Sequence, residues 1–173
     1  MTQNQLIRRP SILLAACTCA YLGSLAYSGT RLPERVASHF DFAGRANAWM
    51  GRSTYLLAMA ALGLALPGLF LSMAWLVRRL PVDLVNLPNR HYWLSPEHRD
   101  ATSAELARRF VWLASLVLAF FMIVNLLVVD ANQRNPAQLS NAIWAWMAIF
   151  LLTTFAWLAS LVRYFSRVPA ISE

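Results

Sequence analysis

Four apolar blocks, Ser11 to Tyr27, Tyr55 to Val77, Phe110 to Val129 and Ile143 to Val162, alternate with polar stretches, and none of the four contains a charged residue. Each approaches the roughly 20 residues an α-helix needs to cross a hydrocarbon core about 30 Å thick. A helix satisfies its own backbone hydrogen bonds, which lipid cannot do for it, and the period-two alternation of a membrane barrel is absent. The pattern predicts an all-α membrane protein with four transmembrane helices, at about 11-28, 55-77, 110-130 and 143-162. Two loops, 31-54 and 78-109, and a short turn near Asn135 and Pro136 connect them.

Composition agrees with lipid as the main solvent: of 173 residues, 58% are apolar and 13% charged, a balance unsuited to a water-exposed surface. All fifteen basic residues are arginine. They are scattered through the loops with no basic face on a soluble fold, so the net charge of +7 reports membrane topology and not a nucleic-acid partner. With the amino terminus inside, the cytoplasmic side holds ten arginines, at 8, 9, 78, 79, 90, 99, 108, 109, 163 and 167, and the outside five, at 31, 35, 45, 52 and 134. Both termini are therefore expected in the cytoplasm, with loop 31-54 outside and loop 78-109 inside. The missing lysine, with abundant alanine and leucine, matches GC-rich bacterial coding, and the bacterial inner membrane is the expected location.

Arg8 and Arg9 before an apolar block also resemble the opening of a signal peptide, but the block is long and no clear A-x-A site follows, which predicts a retained span. Ala15, Ala16, Ala20, Gly23 and Ser24 give that span a small-residue surface for close helix packing. Cys17 and Cys19 point about 200° apart on a helix and read as packing residues. Pro67 and Gly68 predict a bend in the second span. Asn125 reads as interhelical glue, and Thr153 and Thr154 can bond back to their own helix.

The loop LPERVASHFDFAGRANAWMGRST, Leu32 to Thr54, is far longer than a helix pair needs. Pro33 sets the exit direction, Glu34 to Val36 could form one helical turn ending near His39 and Phe40, and Gly44 permits a backbone reversal. Trp49 and Met50 can then dip into the interface. Glu34, His39 and Asp41 are potential hard-metal ligands, but their spacing matches no strong motif. A structural histidine is the plainer reading; no cofactor is called for, and a metal-dependent membrane enzyme using His39 and Asp41 is the weaker alternative.

In the loop 78-109, Ser95, Pro96 and Glu97 predict a helix start, and Thr102 with Glu105 a second capping box. Either one helix runs from Pro96 into the third span, or a short interfacial helix breaks near Ala101. Tyr92 and Trp93 belong at headgroup level, as do Trp144, Trp146 and Tyr164 beside the fourth span.

The Leu32 to Thr54 stretch resembles the signature of the bacterial membrane family known as domain of unknown function 1648, approximately L-P-x-x-(V/I)-x-x-H-F-(N/D)-x-x-G-x-x-(D/N)-x-(W/Y). Leu32, Pro33, Val36, His39, Phe40, Asp41, Gly44, Asn47 and Trp49 match, while Ala37 and Ala46 stand where proline is frequent. NLPNRHYWLSPEHR is similar to a second motif of such proteins, at Asn86, Pro88, Asn89, Tyr92, Trp93 and Leu94. Most members lack an assigned activity. The best-understood relatives are larger Sdp-type immunity proteins, which resist an extracellular peptide toxin and hold a repressor at the membrane. This chain resembles a compact four-span form without their additional spans, so the resemblance implies an immunity- or signal-protein-like membrane protein and does not by itself carry over their role.

The expected function is thus a non-enzymatic sensor or binder of a peptide, lipid or membrane partner. Its outer site would comprise Pro33, His39, Phe40, Asp41, Gly44, Asn47 and Trp49, with a cytoplasmic motif at Asn86, Pro88, Asn89, Tyr92 and Trp93. A structural or accessory subunit of a larger membrane complex is the alternative. Spans without charge disfavour an ion-coupled transporter.

Overall fold

The computed structural model describes residues 3–168, with side chains described for residues 10–73 and 75–168; the side chains of Arg8 and Arg9 lie outside the described residues. Helix α1 (Gln3–Arg31) leads into strands β1 (Arg35–Phe40) and β2 (Ala46–Gly51), then α2 (Arg52–Val77), a 3-10 turn (Val82–Leu84), a single-turn helix α3 (Arg90–Trp93), α4 (Arg99–Asn132) and α5 (Ala142–Phe165). The four long helices are each long and apolar enough to cross a membrane, as the sequence pattern predicts.

At 1.5 Å per residue the 34 residues of α4 reach about 51 Å, roughly 20 Å more than a hydrocarbon core. Its charged first turns extend the apolar rod beyond the 110-130 block. Helix α4 is also the axis of the bundle, with α1 and α2 packed along it and α5 resting on its other flank. α1 and α4 end beside the hairpin, where α2 and α5 begin, so the bundle runs up, down, up, down.

The packing faces follow helical spacing. On α2 the buried positions are Tyr55, Met59, Gly63 and Pro67, four apart and therefore one stripe. Tyr21 of α1 lies against that stripe, its hydroxyl donating to the Met59 carbonyl at 2.5 Å, and its ring occupies the place a side chain at Gly63 would need. α2 runs unbroken through Pro67 and Gly68. The face α1 buries is Tyr21, Ser24, Leu25 and Ser28, whereas Ala15, Ala16, Ala20 and Gly23 point outward. Of the expected small-residue surface only Ser24 is used, because the partner helices supply the small group themselves, at Gly63.

Asn125 is fully buried where α1, α2 and α4 meet. Its Nδ2 donates to the Ser28 hydroxyl at 2.7 Å and to the Ser24 carbonyl and hydroxyl at 3.2 Å. Its Oδ1 accepts from the Tyr55 hydroxyl at 3.2 Å. Every polar atom of the amide is thus partnered, and one side chain ties three helices, in keeping with the expected interhelical role. On α5, Thr153 donates back to the Ile149 carbonyl, while the Thr154 hydroxyl has no partner among the described residues.

The loop before α4 departs from the predicted helix start. Ser95 to His98 form a turn, closed by the His98 and Arg99 amides on the Ser95 carbonyl, and α4 begins at Arg99. The Ser95 hydroxyl pairs with His98 Nδ1 instead of capping a helix at Pro96, and the His98 ring stacks on Tyr92 at 4.3 Å. Thr102 is not part of a capping box either. It sits inside α4 and donates to the Trp93 carbonyl, while Glu105 takes Arg108 and Arg109.

Removing the Asn125 amide strands the Tyr55 hydroxyl in an apolar core. Asn125→Leu is expected to lower unfolding stability in detergent by about 1 kcal/mol, with an upper bound near 2, as read from denaturant or thermal melts. A melt identical to the parent's would mean the three-helix junction is not formed.

Candidate functional site

The expected helical turn at Glu34 to Val36 is instead the start of a β-strand. β1 and β2 pair antiparallel, Arg35 opposite Gly51, Val36 opposite Met50 and Ala37 opposite Trp49, with a bulge at Ser38 that places His39 opposite Ala48. Val36 and Ala37 are buried in succession although side chains along a strand alternate: Val36 lies in the core cluster with Tyr55 and Val128, and the backbone of Ala37 is held by Asn132 of α4. The ladder is extended at its base by the Arg52 amide on the Glu34 carbonyl, at 2.9 Å.

The tip is built by Asp41 and Gly44. Asp41 Oδ1 accepts the amides of Ala43 and Arg45 at 2.9 and 2.8 Å, and Oδ2 takes Arg45 Nε at 3.0 Å. The Gly44 amide closes the turn on the Asp41 carbonyl, and Gly44 follows in the left-handed region at φ 77°, the geometry of a three-residue hairpin loop. A side chain at Gly44 would be strained by that φ and would bring its Cβ to 2.5 Å from the Leu139 carbonyl oxygen. The Arg45 amide, opposed by partial desolvation and helped by the Arg45 guanidinium and the Ala43 amide, holds the Asp41 carboxyl below its ordinary range.

Two contacts seat the hairpin on the bundle. Asn132, in the last turn of α4, accepts the Ala37 amide on Oδ1 at 2.8 Å and donates from Nδ2 to the Ala37 carbonyl at 3.0 Å. Its amide thus stands in for a third strand along β1. At the tip, the Leu139 amide donates to the Gly44 carbonyl at 2.8 Å, and the backbones of Arg45 and Gln138 lie opposite each other in antiparallel pairing. Asn132 carries no weight in the sequence reading, although it lies seven residues after Asn125 and so on the same face of α4.

A groove of about 430 Å³ lies where the tip meets the link from α4 into α5. Of the expected site residues it is lined by Phe40, Asp41, Gly44 and Asn47; the rest of its wall comes from Phe42 and from the segment Leu139 to Met147. The Phe42 ring stacks on Trp144 at 5.7 Å and is 86% exposed, so this aromatic pair is open to anything entering. Pro33, His39 and Trp49 lie off the groove. His39 is exposed with its Nδ1 against the Ser38 hydroxyl, and Trp49 is covered in part by Arg35. No three His, Cys, Asp or Glu side chains gather as a metal set among the described residues.

The second motif sits at the far end of the bundle. Asn89, at φ 51°, and Trp93 both donate to the Phe165 carbonyl at the end of α5, at 3.1 and 2.8 Å. Both tie the loop to α5. Tyr92 packs edge-on against Trp93, and a turn at Pro88 and Asn89 precedes them, with Asn86 just before it.

Residues 13–64, which contain most of α1, the hairpin and the first half of α2, match the family model of a domain of unknown function (DUF1648). The resemblance read from the loop motif therefore holds over this stretch. No curated protein and no solved structure matches the chain.

The lowered Asp41 pKa fixes a sign for pH dependence. Its contribution to the hairpin is complete above the ordinary aspartate range and is lost as pH falls through the depressed value. Amide exchange at Ala43 and Arg45 should accelerate on acidification in the parent beyond its intrinsic pH trend and lose that extra dependence in Asp41→Asn; matching profiles would show the turn does not use the carboxylate.

Proposed function

We propose that this protein is a non-enzymatic receptor that binds a short peptide segment in the groove between the hairpin tip and the start of α5. The observation that carries the reading is the exposed, stacked Phe42 and Trp144 pair lining a preformed cleft, together with the polar side chains of Asn47, Ser140 and Asn141. Its volume falls within the roughly 300–1,000 Å³ of small-ligand clefts. An open aromatic pair beside polar side chains suits one or two apolar side chains of an extended chain, with its amides left to hydrogen-bond. Hydrolytic or metal chemistry fits poorly, since both Asp41 oxygens are already engaged by amides and Arg45.

The site faces outward in this proposal. Ten arginines belong to the end with both chain termini and five to the hairpin end, which favours the bacterial inner membrane with the hairpin outside and the Asn86 to Trp93 loop in the cytoplasm. The Sdp-type immunity proteins implied by the motif resemblance act on an extracellular peptide, and this arrangement would serve the same kind of ligand.

Displayed peptides selected against the full chain in nanodiscs provide the test. Selected peptides should lose about tenfold in affinity on Trp144→Ala, as aromatic anchors do, and bind unchanged to His39→Ala, which lies off the groove. Failure to select any peptide, or indifference to Trp144→Ala, would sink the proposal.

A further inference from the structure

At the end of the bundle opposite the hairpin, a second concavity of about 380 Å³ is walled by Trp93, Arg109, Ser160, Arg163, Tyr164 and Arg167. Arg109 is held in place on three sides: Nε on Glu105 at 2.7 Å, one terminal nitrogen on the Ser160 hydroxyl at 3.1 Å, and its guanidinium over the Tyr164 ring at 4.6 Å. It is a fixed cation whose remaining donors need no reorganisation to meet an anion. Among the described residues Glu105 is the carboxylate at this corner, and Arg108 and Arg109 share it. Arg163 and Arg167 make no ion pair with any described residue and are exposed.

Two further features make the corner receptive to negative charge. The carboxyl end of a helix ordinarily repels anions through its free carbonyls. Here the Phe165 carbonyl is covered by the Trp93 and Asn89 side-chain donors. Trp93 and Tyr164 stack at 5.6 Å, an aromatic pair of the kind that rests at headgroup depth. From Ser160 toward the middle of α5, steps of three and four residues reach Leu152 and Ile149, which are exposed and apolar.

We propose that this corner binds the phosphate of an anionic phospholipid, Arg109 and Arg163 with Arg167 clasping the headgroup while an acyl chain lies along α5. Guanidinium forks match phosphate oxygens, and basic pockets between spans are where such headgroups dock. The inference stands apart from the hairpin groove and does not depend on it.

Native mass spectrometry of the full chain from mixed phosphatidylcholine and phosphatidylglycerol tests it, with Arg163→Gln/Arg167→Gln as the variant. Arg79→Gln/Arg90→Gln removes equal charge at the same end and serves as control. The parent and the control should retain phosphatidylglycerol over phosphatidylcholine, and the variant should retain it about tenfold less. A separate arm titrates inorganic phosphate into the protein in phosphatidylcholine nanodiscs. Binding there that depends on Arg163 and Arg167 would uphold the phosphate site and assign it to a soluble phosphate. Equal retention by variant and control, with no arginine-dependent phosphate binding, would overturn it.

Discussion

A hairpin of two six-residue strands is marginal by itself in water, and the grip of Asn132 on both backbone groups of Ala37 is what makes this one part of the protein. The amide of one side chain completes the outer edge of β1, which would otherwise stand open over the end of the bundle. Asn132 is itself fixed by a third bond, to the Val128 carbonyl of its own helix. The position of the groove follows from that grip, because its walls come partly from the hairpin tip and partly from the link into α5.

The same face of α4 carries Asn125 two turns lower, and the two asparagines divide the work. Asn125 holds α1 and α2 against α4 inside the apolar layer, where an unpaired amide would be costly. Asn132 holds the loop between those helices at the layer's edge. With Val128 and Val129 buried between them, this stretch of α4 forms a spine to which the first half of the chain is fastened. α5 is fastened at its two ends: Leu139 and Trp144 meet the hairpin tip, and Asn89 and Trp93 hold its last carbonyl.

The spans were legible because lipid enforces a simple rule, twenty or so uncharged residues per crossing, and the four blocks obey it. Asn125 was legible for the same reason, as a polar residue in a place that tolerates few. The hairpin was not. Its strands pair across the chain, and β1 shows no alternation that would reveal it, since Val36 and Ala37 are both buried and the bulge at Ser38 shifts the register beyond them. The loop motif pointed to the tip, and Phe40, Asp41, Gly44 and Asn47 do line the groove. Its other wall lies about a hundred residues away in Leu139 to Met147, and only the tertiary return of α4 brings it there. The small residues of α1 do not mark its buried face, because they show only where helices can approach, while Tyr21 and the missing side chain at Gly63 decide which face packs.

Seating of the hairpin tip against the α4 to α5 link can be measured with a disulfide. Arg45 and Gln138 face each other across an antiparallel bridge, a separation that suits a disulfide between substituted cysteines. With Cys17 and Cys19 replaced by serine, Arg45→Cys/Gln138→Cys should crosslink rapidly and nearly completely in isolated membranes under mild oxidant, while Arg35→Cys/Gln138→Cys should not. A slow or partial crosslink, or equal yields in the two pairs, would mean the tip is not docked and the groove does not exist as described.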